Sequence, residues 1–147
     1  MRLAQHIETH IHTSDAADTV TLDYEARFLR RKRLVSDAGE PFLVELAETR
    51  SLNQGEGFRL DDGRIIAVMA AAEPLLAVQH GNLARIAWHV GNRHTPCQIA
   101  DDHILIREDK VLGAMLEGLG ASVTQVTAPF TPEGGAYGHG RTHGHEH

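Results

Sequence analysis

The stretch LLAVQHGNLARIAWHVG, residues 75–91, joins an apolar run to an amphipathic segment. A short apolar run that ends at His80-Gly81 is typical of a buried strand. Asn82 is a residue type that commonly caps the first turn of a helix, and Gly91 is a natural residue to end one. Between them the apolar residues recur at helical spacing on one face: Leu83, Ile86, Ala87 and Val90. The stretch therefore predicts a strand followed by a helix that lies flat on a sheet.

The segments after residue 91 complete a recognisable order of elements. Further strands are predicted at 97–99, 104–107 and 123–126, and a second amphipathic helix at 109–119. Asp109 is the expected cap of that helix, and Gly120 is expected to end it. The order β-α-β-β-α-β is that of the ferredoxin-like fold. We therefore predict a ferredoxin-like domain over residues 73–136.

The first half of the chain has a different pattern. Residues 19–70 contain short apolar or alternating runs broken by turn residues, which favours strands. Asp61-Asp62-Gly63 lies between two such runs and predicts a hairpin, because Asp and Gly tolerate positive φ. We expect an antiparallel, all-β domain over residues 1–72, so the fold class of the whole chain is α+β.

The amino-acid composition limits the classes of function that this chain can have. Eleven histidines stand beside a single cysteine, and the formal net charge is -6. Histidine is the commonest metal ligand in proteins, whereas one cysteine excludes an internal disulfide. The negative charge gives no attraction to a phosphate backbone, so nucleic acid is not an expected partner. Since no apolar run approaches the roughly 20 residues of a membrane-spanning helix or resembles a signal peptide, we expect a cytoplasmic protein without membrane contact.

The last residues, 137–147, are too polar and too rich in glycine to pack against a core, so they predict a disordered tail. Four histidines fall there, at His139, His143, His145 and His147. Histidine-rich tracts of this kind commonly bind metal, and we expect these four to be ligands. A solvated low-complexity end or the remnant of a purification tag is the alternative.

A second candidate ligand lies in Gly91-Asn92-Arg93-His94-Thr95-Pro96. Gly91 permits a chain reversal, and Pro96 biases Thr95 toward extended backbone. His94 is therefore expected on a short constrained segment. On spacing alone, a loop histidine is more often an ordinary surface residue.

The segment WHVGNRHTPCQI, residues 88–99, closely resembles the signature of the urease accessory protein E family, the nickel metallochaperones of urease maturation. Residues 30–33, 41–49 and 60–68 resemble the N-terminal domain of that family. The resemblance implies a β-rich N-terminal domain that binds a partner protein or peptide, followed by a ferredoxin-like domain for metal binding and dimerisation. It further implies a homodimer in which His94 faces its symmetry mate and the two rings share one ion.

The same resemblance implies Ni²⁺ as cargo, with Zn²⁺ or Cu²⁺ able to take the same ligands. The implied partners are a urease accessory GTPase and the complex of apo-urease with its accessory proteins. The chain departs from some members at Glu108-Asp109-Lys110, where they have auxiliary histidine ligands.

The remaining candidates favour structural roles. We expect His89 to pack or orient, and His103 and Cys97 to be plain structure. His6, His10 and His12 would share a face if they were helical, but surface scatter is preferred. Arg30-Arg31-Lys32-Arg33 is interpreted as a patch for a partner protein or a solvated strand rather than a nucleic-acid site.

Three functions compete. A metallochaperone needs few, partly exposed ligands, because a closed four-ligand cage would not release its ion. A metal store or buffer would need only the tail. A small metal-dependent hydrolase would need a base and a polarising site, but no Ser-His-Asp, His-Glu-x-x-His or phosphate-loop pattern occurs. Together with the absence of a catalytic pattern, the family resemblance implies a nickel-binding chaperone that delivers nickel to apo-urease and is not an enzyme.

Overall fold

The computed structural model describes residues 1–134, and this part of the chain divides between Ala71 and Ala72 into two compact units. The first unit contains six strands: β1 Arg2–Glu8, β2 Asp18–Leu22, β3 Phe28–Val35, β4 Pro41–Ser51, β5 Gly57–Leu60 and β6 Ile65–Ala70. The second unit contains β7 Ala72–Gln79, α1 Leu83–Asn92, β8 Gln98–Ile99, β9 Ile104–Arg107, α2 Lys110–Gly118 and β10 Ser122–Pro129. The predicted tail, 137–147, lies outside the described residues.

The strands of the first unit form one sheet in the order β2-β6-β5-β1-β4-β3. Strand β4 shows the pattern that builds its core, because buried Phe42, Val44 and Leu46 alternate with half-buried neighbours. The predicted hairpin at residues 61–63 joins β5 to β6, and Gly63 has a φ of 89° there. The strand-rich N-terminal domain is thus confirmed.

The expectation of a purely antiparallel sheet was wrong. Strand β1 pairs in parallel with β4, and β2 pairs in parallel with β6. Tight turns join β3 to β4 and β5 to β6, and those pairs are antiparallel as hairpins must be. The parallel pairs join strands that are distant in the chain, and local patterns carry no information about such pairs.

The second unit has the predicted ferredoxin-like topology. Its sheet order is β10-β7-β9-β8, every neighbouring pair is antiparallel, and the first strand, β7, lies in the interior. The mixed α+β class expected from the pattern of elements is confirmed.

Both helices begin where their capping residues predict. The side-chain oxygen of Asn82 accepts a hydrogen bond from the Arg85 N–H at 3.2 Å, and that of Asp109 accepts one from the Leu112 N–H at 3.0 Å. The apolar faces of α1 and α2 pack with residues of β7 and β9 in one buried cluster, which includes Val78, Ile86, Val90, Ile104, Ile106, Leu112 and Leu116. Within residues 1–134 no helix is long and apolar enough to cross a membrane.

Candidate metal centre

His94 lies directly after Arg93, the C-cap residue of α1, in a left-handed backbone conformation with φ of 57°. Its N–H donates to the Gly91 carbonyl at 2.9 Å, and the Thr95 N–H donates to the Val90 carbonyl at 3.3 Å. These two bonds define a Schellman motif, in which the left-handed position usually carries glycine because it has no Cβ to clash. The motif sets the backbone direction at His94, and the imidazole is exposed.

The reversal of the chain is therefore three residues later than the sequence suggested. Gly91, expected to allow the turn, lies inside α1 and is not among the residues with positive φ. The helix continues to Asn92, and His94 itself makes the turn. One signal of the later helix end was available, because proline is common up to three residues beyond a helix end and Pro96 lies three residues after the C-cap Arg93.

The end of α1 also sets the local field around His94. The carbonyl groups at a helix C-terminus carry a partial negative charge, which favours a nearby cation. Beside His94 lies an open cavity of about 540 Å³. It is lined by Glu73, Pro74, Arg93, His94, Thr95, Pro96, Arg107, Glu108 and Asp109. Three acidic residues and two arginines thus line the same cavity as His94.

The cavity places Glu73 and Arg107, which the sequence did not associate with His94, beside the segment Glu108-Asp109, where some family members have auxiliary histidines. Glu73 comes from β7, Arg107 from β9, and Glu108 from the segment before α2. Asp109 is occupied as the helix cap, since its carboxylate accepts the Leu112 N–H. No local motif connects these positions, because the sheet order alone makes β7 and β9 neighbours.

Cys97 is poorly suited to ligation. Its side chain is half-buried, and this burial raises the pKa of the thiol, with a smaller contribution from the charge of Glu133. Because a metal binds the thiolate, a raised pKa works against coordination near neutral pH.

Two other histidines that the sequence analysis considered as ligands, His89 and His103, have identifiable contacts. The His89 ring meets the Trp88 ring edge-to-face, with centroids 5.0 Å apart. His103 lies just before β9, and its Nδ1 is 2.6 Å from a carboxylate oxygen of Asp102. The hydrogen bond from His103 holds the pKa of the Asp102 carboxyl below its usual range.

The N-terminal histidines do not share a helical face. His6 lies on β1, and His10 and His12 follow the strand, with His10 at a φ of 57°. Within residues 1–134 no three or more His, Cys, Asp or Glu side chains are grouped so as to hold a metal ion. The candidate tail ligands His139, His143, His145 and His147 lie outside the described residues. The structure therefore describes one of the five sequence-predicted ligands, His94.

Comparison with known proteins gives the same family for both halves of the chain. Residues 2–71 match the family described as UreE urease accessory protein, N-terminal domain, and residues 73–147 match its C-terminal domain. A protein from Ruegeria pomeroyi named urease accessory protein UreE is 57% identical over 92% of this chain and 91% of its own length. A protein of the same name from Rhodobacter capsulatus is 61% identical over 91% of this chain and 85% of its own length. The chain belongs to the urease accessory protein UreE family.

Proposed function

We propose that this chain is a metallochaperone that binds nickel as cargo and delivers it to apo-urease during assembly of the metal centre. The observation that carries the proposal is the exposed, left-handed placement of His94 in a chain of this family. Strained backbone conformations tend to occur at functional positions, where the surrounding structure holds them. The relatives are named for a role accessory to urease, and the proposal extends that role to this chain.

The proposed site uses two copies of the chain. A single imidazole holds an ion weakly, and a homodimer with a two-fold axis supplies the same residue from each copy. Two His94 rings would then share one nickel ion near the axis. The partial negative charge at the end of α1 favours the bound cation. Zinc and copper bind imidazole as well, so the cellular supply and the receiving partner determine which metal is carried.

Release requires that the ion is not enclosed. Two exposed rings leave coordination positions open, so a partner can compete for the ion. The tail histidines His139, His143, His145 and His147 are proposed to capture nickel and exchange it with the His94 pair. The proposed receivers are a urease accessory GTPase and the complex of apo-urease with its accessory proteins, in the cytoplasm. In this role the chain carries the ion and catalyses no reaction.

Delivery can be tested by activating apo-urease with purified accessory proteins, with nickel supplied only as the loaded chain in the presence of a chelator. We expect His94→Asn to abolish activation, since asparagine tolerates left-handed backbone but removes the imidazole. His10→Asn is the matched control, because His10 is also exposed and has the same φ of 57°. Wild-type activation by His94→Asn would contradict the proposal. A series of equal, weak sites in every variant would instead indicate a metal store.

A further inference from the structure

The basic run Arg30–Arg33 lies on β3, the last strand of the six-stranded sheet. All four side chains are exposed. Arg31 is 3.9 Å from Glu45, which is a weak, solvent-exposed ion pair. The other three have no ion pair or side-chain hydrogen bond with any residue in 1–134. The run therefore presents a concentration of positive charge in a chain whose net charge is -6.

The backbone of this strand is also available on one side. The Ser36 N–H donates to the Glu40 carbonyl at 2.8 Å, which makes residues 36 and 40 a hydrogen-bonded pair. Antiparallel pairs alternate between bonded and non-bonded, so the N–H and C=O groups of Arg31, Arg33 and Val35 point away from β4. Within residues 1–134, β4 is the sole strand paired with β3.

The opposite edge of the same sheet is closed by the chain itself. On β2, the Thr19 carbonyl accepts the Asp37 N–H at 2.8 Å, and the Thr21 N–H donates to the Asp37 carboxylate at 3.2 Å. Both threonine hydroxyls donate to the same carboxylate, at 2.6 and 2.8 Å. Asp37 thus takes two of the outward backbone groups that a further strand would use, the Thr19 carbonyl and the Thr21 N–H. The two edges differ in this respect, and the open one is the basic one.

The charge on the open edge determines what can pair with it. A second copy would bring Arg31 and Arg33 against the same like charges, which disfavours edge-to-edge pairing of this chain with itself. Carboxylates opposite those arginines would be favourable cross-strand pairs. Val35, 49% exposed, adds an apolar contact at the end of the strand.

We propose that β3 is a docking edge for an extended acidic segment of a partner protein, which adds a seventh strand to the sheet. Backbone hydrogen bonds to Arg31, Arg33 and Val35 hold the segment. Carboxylates at alternate positions face the two arginines, and this spacing gives specificity. The docking edge is independent of the proposed metal role of His94.

The test uses the full chain and a synthetic ten-residue peptide that alternates glutamate with valine, compared with a peptide that has glutamine for glutamate. We expect the glutamate peptide, but not the glutamine peptide, to bind and to slow hydrogen exchange at the amides of Arg31, Arg33 and Val35. The double variant Arg31→Gln, Arg33→Gln should weaken binding about tenfold, as two cross-strand ion pairs are lost. Arg85→Gln, which removes an exposed charge on α1, is the matched control and should bind as wild type.

A second pair of variants separates the contribution of the backbone hydrogen bond to peptide binding from the contribution of the side-chain charge. Arg33→Gln and Arg33→Pro remove the same charge, but proline also removes the outward N–H, which an edge strand can lose without disturbing its ladder. We expect Arg33→Pro to bind the peptide more weakly than Arg33→Gln, with nickel binding equal in the two.

Several results would contradict the proposal that β3 is a docking edge. Equal binding by the double variant and wild type would do so, as would an absence of slowed exchange on β3. Preferential binding of an oligonucleotide at the same amides would assign the edge to nucleic acid. Self-association lost in the double variant would assign it to a second copy. His94→Asn should bind the peptide as wild type, so failure of the metal proposal and failure of this one are distinguishable.

Discussion

The His94 N–H donates to the Gly91 carbonyl at 2.9 Å, and through this bond His94 takes the left-handed position that closes helix α1. A residue with a Cβ pays about 1–2 kcal/mol for that conformation. Glycine would avoid the cost but would carry no imidazole. At position 94 the residue that best stabilises the fold is therefore not the residue that can bind a metal. Different substitutions at this position test the folding stability and the metal binding separately.

His94→Gly should raise the free energy of unfolding of the metal-free protein by about 1 kcal/mol, because strain relieved in the folded state exceeds the entropy gained by the unfolded chain. His94→Ala keeps the strain and is the control. Chemical denaturation in the presence of a chelator measures both. A glycine variant less stable than the alanine variant would contradict the left-handed assignment.

Gly91→Ala should also stabilise the protein, by about 0.5 kcal/mol, because alanine is the better residue inside a helix. A Cβ at Gly91 would meet nothing within 4 Å, so no clash opposes the gain. Thermal unfolding of the variant beside wild type checks this. If Gly91 were the left-handed residue that ends the helix, the same substitution would be destabilising.

If two His94 side chains share one ion as proposed, His94→Asn should remove the nickel-dependent strengthening of the proposed dimer. An ion bound only by the dimer at a hundredfold excess over its Kd stabilises it by about 2.7 kcal/mol, roughly a hundredfold in the association constant. Sedimentation in a dilution series, with and without nickel, measures the change, and His10→Asn serves as control. Equal nickel-dependent association in wild type and His94→Asn would rule out the shared pair.

Removal of residues 139–147 should lower the number of nickel ions bound per dimer and leave one site, because the proposed His94 pair is retained. A full-length variant with asparagine at all four tail histidines should behave in the same way. This variant shows whether the effect comes from losing the histidine ligands or from shortening the chain. Equilibrium dialysis gives the stoichiometry. Unchanged stoichiometry in both variants would exclude the tail as a ligand source.

The loss of folding stability at low pH should depend on Arg64. Its guanidinium bonds both carboxylate oxygens of Glu40, at 2.7 and 2.6 Å, and one of Asp62 at 2.8 Å. These hydrogen bonds hold the pKa of each carboxyl below its usual range. Since a depressed folded pKa stabilises the native state above the unfolded pKa, this contribution is lost as the pH falls below about 4.

Arg64→Met should therefore flatten the fall in stability between about pH 5 and pH 3, measured by urea unfolding at a series of pH values. Arg85→Met removes an exposed arginine that has no carboxylate partner within residues 1–134 and should leave the fall unchanged. A curve for Arg64→Met parallel to that of wild type would show that the two carboxyls do not titrate as described.

The sequence by itself determined the features that rest on short-range patterns. Asn82 and Asp109 cap their helices as predicted, Gly63 makes the hairpin, and the order of elements specifies the ferredoxin-like unit. Each depends on residues a few positions apart, where backbone geometry and hydrophobic periodicity act directly. His94 was likewise a candidate ligand from its own segment and the family resemblance.

The tertiary structure alone decided how distant segments meet. It placed β1 beside β4 in parallel, brought Glu73 and Arg107 to the His94 cavity, and closed the β2 edge with Asp37. The chain also reverses at His94 rather than at Gly91, although glycine favours left-handed backbone and disfavours a helix more than histidine does. A local preference of about 1–2 kcal/mol is small beside the packing of a whole helix on its sheet, so the fold overrides it.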